Sequence, residues 1–174
     1  MKRNIVLSGF MGTGKSTVGR ALADRLGWGF IDTDEQIEKL SGMKITKIFS
    51  EFGEDVFRRF ETLIVYNVSR LSNYVISVGG GTLVNPVNRE VLSRNSLIIT
   101  FMAQPEVIYS RVCSNKDRPL LNLGSEDLIL ERIKELLEKR MKYYSMSDFI
   151  LDTSFKEIFE LVDEIIDQIY NIVF

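Results

Sequence analysis

Apolar positions along the chain fall into short runs that alternate with longer stretches at helical spacing. Residues 4–8 (NIVLS) have the length of a strand, and in residues 17–26 Val18, Leu22 and Leu26 recur every fourth position, predicting a helix. Gly27 is placed to end that helix, and Gly29–Asp32 reads as a second strand. Ile37 and Leu40, then Ile45, Ile48, Phe49 and Phe52, predict short helices broken at Ser41-Gly42. Residues 54–71 predict a longer one, with Phe57, Phe60, Ile64, Val68 and Leu71 on a single face. Strands are expected at 75–78 and 97–102, the latter (LIITFM) so continuously apolar that burial on both faces is expected. Pro86 opens a helix between them, residues 104–112 and 126–143 form two more, and 149–151 is a last strand. Phe155, Ile158, Phe159, Val162, Ile165, Ile166 and Ile169 are predicted as the inner face of a closing helix. Residues 114–125 are polar and aperiodic, a long loop.

Alternation of strand and helix requires crossover connections, hence a parallel sheet covered on both faces. Ligands in such folds bind beyond the carboxyl ends of the strands, which directs attention to the residues just past each strand. The 174 residues suit one domain spanning 1–174, without repeats or linkers. A net charge of −2 and a pI near 5.4 argue against a nucleic-acid or anionic-membrane partner, and no apolar run approaches a membrane span. The absence of histidine excludes Ser-His-Asp, Cys-His and histidine-zinc chemistry. The single cysteine, Cys113, has no internal partner, which fits a reducing cytoplasm, and it is expected to be a buried, inert thiol. Lys2 and Arg3 before an apolar run suggest a secretory leader, but Lys15 and Arg20 interrupt the run and no leader is expected.

After the first strand stands GFMGTGKST, residues 9–17, the pattern GxxxxGK(S/T) of a phosphate-binding loop. Gly9, Gly12 and Gly14 allow consecutive backbone N–H groups to face an oxyanion. Lys15 is positioned to reach the outer phosphates of a nucleotide, and the Ser16 hydroxyl to hold a hydrated Mg²⁺. After the second strand, Asp32 and Asp34 are two apart and face one side if the strand persists. One then helps hold the magnesium water shell and the other accepts from a substrate hydroxyl; the plainer reading is that the pair caps the next helix. Arg58 and Glu61, three apart on a helix, are either a solvated ion pair or a carboxylate clamp emerging beside Phe57 and Phe60. Gly79, Gly80 and Gly81 after the third strand suggest close backbone approach to a ligand. Arg118, beside Pro119, is either an ordinary loop arginine or a charge that closes over the phosphates. Arg140 either complements its helix C-terminus or supplies a second carboxylate clamp.

Together GFMGTGKST, Asp32-Thr33-Asp34, Gly53-Glu54 with Phe57-Arg58 and Glu61, the glycine triplet and Arg118-Pro119-Leu120-Leu121 stand in the order and spacing of shikimate kinases, a family the chain closely resembles. The resemblance implies a three-layer α/β/α fold of the P-loop kinase type with a five-stranded parallel sheet, a mobile lid near 114–125 and a substrate-binding helical region near 33–61. It implies ATP- and Mg²⁺-dependent phosphorylation of the shikimate 3-hydroxyl by a cytoplasmic monomer, on the route to chorismate and the aromatic amino acids. By position, Gly12, Thr13, Gly14, Lys15, Ser16, Thr17, Arg111 and Arg118 would bind ATP, with Arg111 against the adenine. Ser16 and Asp32 would place Mg²⁺, while Lys15, Asp34 and Arg118 would be the catalytic groups. Asp34, Arg58, Gly80, Gly81 and Arg140 would bind shikimate. The tyrosine that the family places after the last arginine is either Tyr143 or Tyr144, and Lys139 adjoins Arg140 as a competing cation. A GTPase switch shares the loop, but Asn115-Lys116-Asp117 and Asp24-Arg25-Leu26-Gly27 fit its guanine and magnesium motifs poorly. A gluconate-type kinase shares the loop and magnesium site but leaves Asp34, Arg58 and the glycine triplet unexplained.

Overall fold

A computed structural model describes residues 2–113 and 125–173. Strands β1 (Asn4–Gly9), β2 (Gly29–Asp32), β3 (Tyr74–Ser77), β4 (Ser96–Met102) and β5 (Phe149–Asp152) form a sheet in the order β2-β3-β1-β4-β5, every neighbouring pair parallel. Between and after them run α1 (Lys15–Leu26), α2 (Thr33–Ser41), α3 (Ile45–Val68), α4 (Pro86–Asn95), α5 (Pro105–Cys113), α6 (Glu126–Tyr144) and α7 (Ile158–Val173). The chain leaves central β1 first toward β3 and β2, then crosses to β4 and β5. The crevice at the end of β1 is therefore the topological switch point where such folds bind ligands.

The two-residue period of the strands divides the core. Ile5 and Leu7 face α1 and α7, packing with Val18, Leu22, Leu161 and Ile165. Val6, between them, faces the opposite layer, where α3 and α4 contribute Phe57, Ile64, Val68 and Leu92. A third cluster joins α5 and α6 around Phe10, Ile108, Ile133, Leu137 and Tyr144. All of β4 except Met102 is buried, as its unbroken apolarity predicts.

The break expected between Phe52 and Glu54 is present: the two helical parts of α3 are separated by a kink at Gly53, whose φ of 80° and ψ of 176° are non-helical and open to glycine alone. A short 3₁₀ turn at Thr82–Val84 has no periodicity to reveal it. Two expectations need correction, one on α7 and one on Cys113. The inner face of α7 is Leu161, Val162 and Ile165, with Ile166 and Ile169 packed against the same cluster as expected, whereas Phe155 is 79% and Phe159 66% exposed and Ile158 is also exposed. That helix starts only at Ile158, so its first turn stands at the cavity mouth instead of over the sheet. Cys113, the last residue of α5, is exposed and not a buried thiol.

Candidate active site

The phosphate loop owes its shape to the junction of β1 and α1. Gly14, with φ of 91°, turns the chain directly into α1, which begins at Lys15, two residues earlier than periodicity indicates. The N-terminal dipole and first-turn N–H groups of α1 consequently face the crevice. Buried Thr13 donates to the Phe10 carbonyl at 2.8 Å, and Thr153, just past β5, donates to the Thr13 carbonyl at 2.9 Å. The loop is thus braced both internally and from the far side of the sheet. Lys15 Nζ donates to the Gly9 and Phe10 carbonyls, each at 2.9 Å, which holds the ammonium across the loop.

Ser16 and Asp32 meet at the ends of neighbouring elements. Ser16 Oγ donates to Asp32 Oδ2 at 2.6 Å and lies 3.4 Å from Ser77 Oγ, while Asp32 Oδ1 accepts from the Asp34 N–H at 3.0 Å. Asp32 is the N-cap of α2, so the capping reading holds together with its place beside Ser16. A hydroxyl and a carboxylate oxygen side by side, at a helix N-terminus that attracts phosphate, fit a hard cation that keeps much of its water shell, as Mg²⁺ does.

Across the cavity the glycine triplet is surrounded by the other candidates. A Cβ on Gly81 would lie 2.9 Å from one terminal nitrogen of Arg58 and 3.0 Å from the other, so the guanidinium rests flat on this residue. On Gly80 it would come within 3.1 Å of Arg140 Nη1 and of the Gly9 carbonyl, and on Gly79 within 3.1 Å of Asp34 Oδ1. None of the three has positive φ; close approach, not torsion, demands glycine here. Arg140 also lies 5.3 Å from the Phe10 ring centroid, a cation–π contact that ties α6 to the phosphate loop, whereas Lys139 is exposed.

Arg58 is held in an ion pair, yet one that is not simply solvated. Its Nη1 donates at 3.0 Å to Glu61, which is 1% exposed, and its Nε and Nη2 donate to exposed Glu54 at 3.1 and 2.8 Å. Burial opposes its charge, but Glu61 and Glu54 outweigh burial and hold its pKa above the ordinary value. The second Glu61 oxygen accepts from Thr82 Oγ1 at 2.7 Å, fixing the carboxylate from both sides. Glu61 and Thr82 are therefore positioning groups; the three-residue offset from Arg58 signalled the pair with Glu61 in the sequence, but only packing reveals its burial and brings in Thr82, which sequence reading passed over.

At the opposite end, Arg111 Nη2 donates to the Thr153 and Ser154 carbonyls at 2.8 and 3.2 Å, and Nη1 to the Gly12 carbonyl at 3.3 Å. The Ser154 hydroxyl and N–H both donate to Asp152, and the hydroxyl bond leads the contributions that lower that carboxyl's pKa. Of the two candidate tyrosines, Tyr144 is 0% exposed and donates to the Gly80 carbonyl at 2.8 Å, while Tyr143 lies nearer the surface beside Arg89 and Lys142. Burial raises the Tyr144 pKa, with Arg140 opposing the shift. Arg118 and the body of the expected lid lie outside the described residues.

One continuous cavity of about 1030 Å³ joins these groups. It runs from Arg111 past residues 12–17 and Asp32 to Asp34, Arg58, the glycine triplet and Arg140, so every candidate site residue among the described ones lines it. A phosphate loop at the switch point, with an aspartate and two arginines facing it across one cavity, defines a P-loop kinase for a small anionic acceptor. The shikimate kinase family model matches residues 11–170. The shikimate kinase of Caldanaerobacter subterraneus subsp. tengcongensis is 46% identical over 164 residues, 94% of either chain. The structure of the Acinetobacter baumannii shikimate kinase in complex with shikimate superposes with a TM-score of 0.92 at 31% identity, covering 99% of this chain and 96% of that one. A Sinorhizobium meliloti gluconokinase shares the fold alone, with a TM-score of 0.60 and 19% identity over 99% of this chain and 98% of its own. The chain belongs to the shikimate kinase family.

Proposed function

We propose that this protein transfers the γ-phosphoryl group of ATP to the 3-hydroxyl of shikimate, giving 3-phosphoshikimate and ADP, and that the residues lining the cavity divide the work between donor and acceptor. The loop N–H groups and the α1 N-terminus receive the phosphates, and Lys15 turns from the loop carbonyls to the transferring group. Arg111 flanks the adenine. Ser16 and Asp32 hold Mg²⁺, which when bound neutralises phosphate charge. Arg58 and Arg140 grip the substrate carboxylate, helped by the backbone of Gly80 and Gly81, while Asp34 accepts from the ring hydroxyls. In the transfer, the 3-hydroxyl oxygen bonds to the γ-phosphorus, the bond to the β–γ bridging oxygen breaks, and the hydroxyl proton passes to Asp34. Arg118, from the lid near 114–125, adds positive charge and excludes water when the lid closes over the single 1–174 domain. The helical region near 33–61 acts as the substrate-binding part. One chain contains both halves of the site, so a monomer suffices, and the lone cysteine suits a reducing cytoplasm.

The observation that carries this reading is the convergence of Asp34, Arg58 and Arg140 on the glycine triplet, facing Lys15 within one cavity. A ring bearing one carboxylate and several hydroxyls meets that arrangement in a single orientation. Purified protein with ATP and Mg²⁺ is expected to release ADP in a coupled assay on addition of shikimate, and little with gluconate or AMP. Gluconate-dependent release without a shikimate response would reverse the assignment.

A further inference from the structure

Arg140 and Tyr144 stand one turn apart on α6, and both reach Gly80. The phenol is wholly buried, packed in the α5–α6 cluster with Phe10, Ile133 and Leu137, and takes no part in lining the cavity. Its hydroxyl, which also meets the Arg140 side chain, donates to the Gly80 carbonyl at 2.8 Å, so that carbonyl is turned toward the buried phenol. The peptide bonds are trans, which sets the N–H of the Gly80–Gly81 peptide antiparallel to this carbonyl and aims it into the cavity. The aimed N–H belongs to Gly81, on which the Arg58 guanidinium rests. A peptide between two glycines has little steric resistance to rotating about its flanking torsions, so its orientation needs an external hold.

We infer that Tyr144 is a positioning residue for shikimate recognition: by fixing the Gly80 carbonyl it locks the Gly80–Gly81 peptide with the Gly81 N–H directed at the substrate carboxylate. The inference rests on the shikimate kinase reading. It also assigns α6 a double part, one turn supplying the Arg140 charge and the next fixing the backbone donor beside it. The ring fills core volume, but the hydroxyl serves the substrate.

Tyr144→Phe keeps the ring and removes the hydroxyl. The expected result is a five- to tenfold rise in KM for shikimate, roughly the loss of one hydrogen bond, with kcat and the KM for ATP changed less than about twofold. A shikimate analogue with a hydroxymethyl group in place of the carboxylate separates recognition from general loosening. Its affinity should fall by a smaller factor than that of shikimate on going to the variant. An unchanged KM for shikimate, or equal losses for shikimate and analogue, overturns the inference. On the unaltered chain, saturating shikimate should slow hydrogen exchange at the Gly81 amide and the analogue should not; an amide left unprotected by shikimate overturns the inference however the variant folds. Unaltered protein that turns over no shikimate defeats the functional reading itself, a result distinct from an active enzyme indifferent to Tyr144→Phe.

Discussion

Arg58 shows how one side chain serves two contacts at once. Its buried bond to Glu61 sets the direction of the guanidinium, and the bonds to exposed Glu54 steady the fork without burying it. The ion pair is therefore the device that orients the clamp. Replacing Arg58 by alanine is expected to raise the KM for shikimate roughly 30-fold or more, about 2 kcal/mol, with a smaller change in kcat. Arg58→Lys, which keeps a partner for Glu61 but loses the planar fork, should fold normally and still show much of the KM defect. Unchanged shikimate binding in both variants would remove Arg58 from the site. Lys15 behaves differently because its charge matters most where the transferring group gains charge. Lys15→Ala should lower kcat on the order of a hundredfold or more with little effect on the KM for shikimate. Steady-state kinetics with each substrate varied in turn distinguishes the two patterns.

Among the elements, α3 carries the most site geometry for its length. Its second part presents Phe57 to the core and Arg58 and Glu61 to the cavity, and its first part covers the far wall with Ile45 and Phe49. The two parts meet at Gly53, where a positive-φ, non-helical residue interrupts the helix and kinks the chain between them. Nothing crowds a Cβ at that position, so the penalty of Gly53→Ala is purely conformational. It should destabilise the protein by about 1–3 kcal/mol in urea unfolding and raise the KM for shikimate by tilting Arg58. A stability change below about 0.5 kcal/mol would mean the kink is not strained for other residues. Both flanking stripes were readable as helix, but Gly53 was legible only as a break. Whether helices on either side of a glycine stack or diverge depends on what they pack against.

At the scale of the molecule, β5 ties its end to the phosphate loop through Thr153 and Arg111, and Asp152 stabilises that junction through Ser154. The lowered pKa of Asp152 gives a sign to the acid response. The folded state holds the carboxylate charged at pH values where the unfolded chain is protonated. Its contribution is present above the ordinary value of 3.8 and is lost as the pH falls through the depressed folded value. Ser154→Ala should reduce stability at neutral pH and flatten its decline below pH 3.8, as read by urea midpoints across that range. Parallel curves for both proteins would show that the bond contributes nothing to the linkage. Much of this protein was determined by local sequence alone. Strand and helix periodicity implied a parallel layered sheet, and the phosphate loop announced itself because backbone torsion and anion contact need glycine, lysine and serine at fixed neighbouring positions. Asp34, Arg58 and Arg140 could be proposed by motif spacing, because their residue types carry the chemistry. Tertiary structure decided what adjacency in space decides: that Glu61 is buried behind Arg58, that Tyr144 and not Tyr143 reaches Gly80, and that Phe155 and Phe159 lie outside the core. Helical spacing specifies which residues share a face, but the surface that meets that face is supplied by elements distant in the chain.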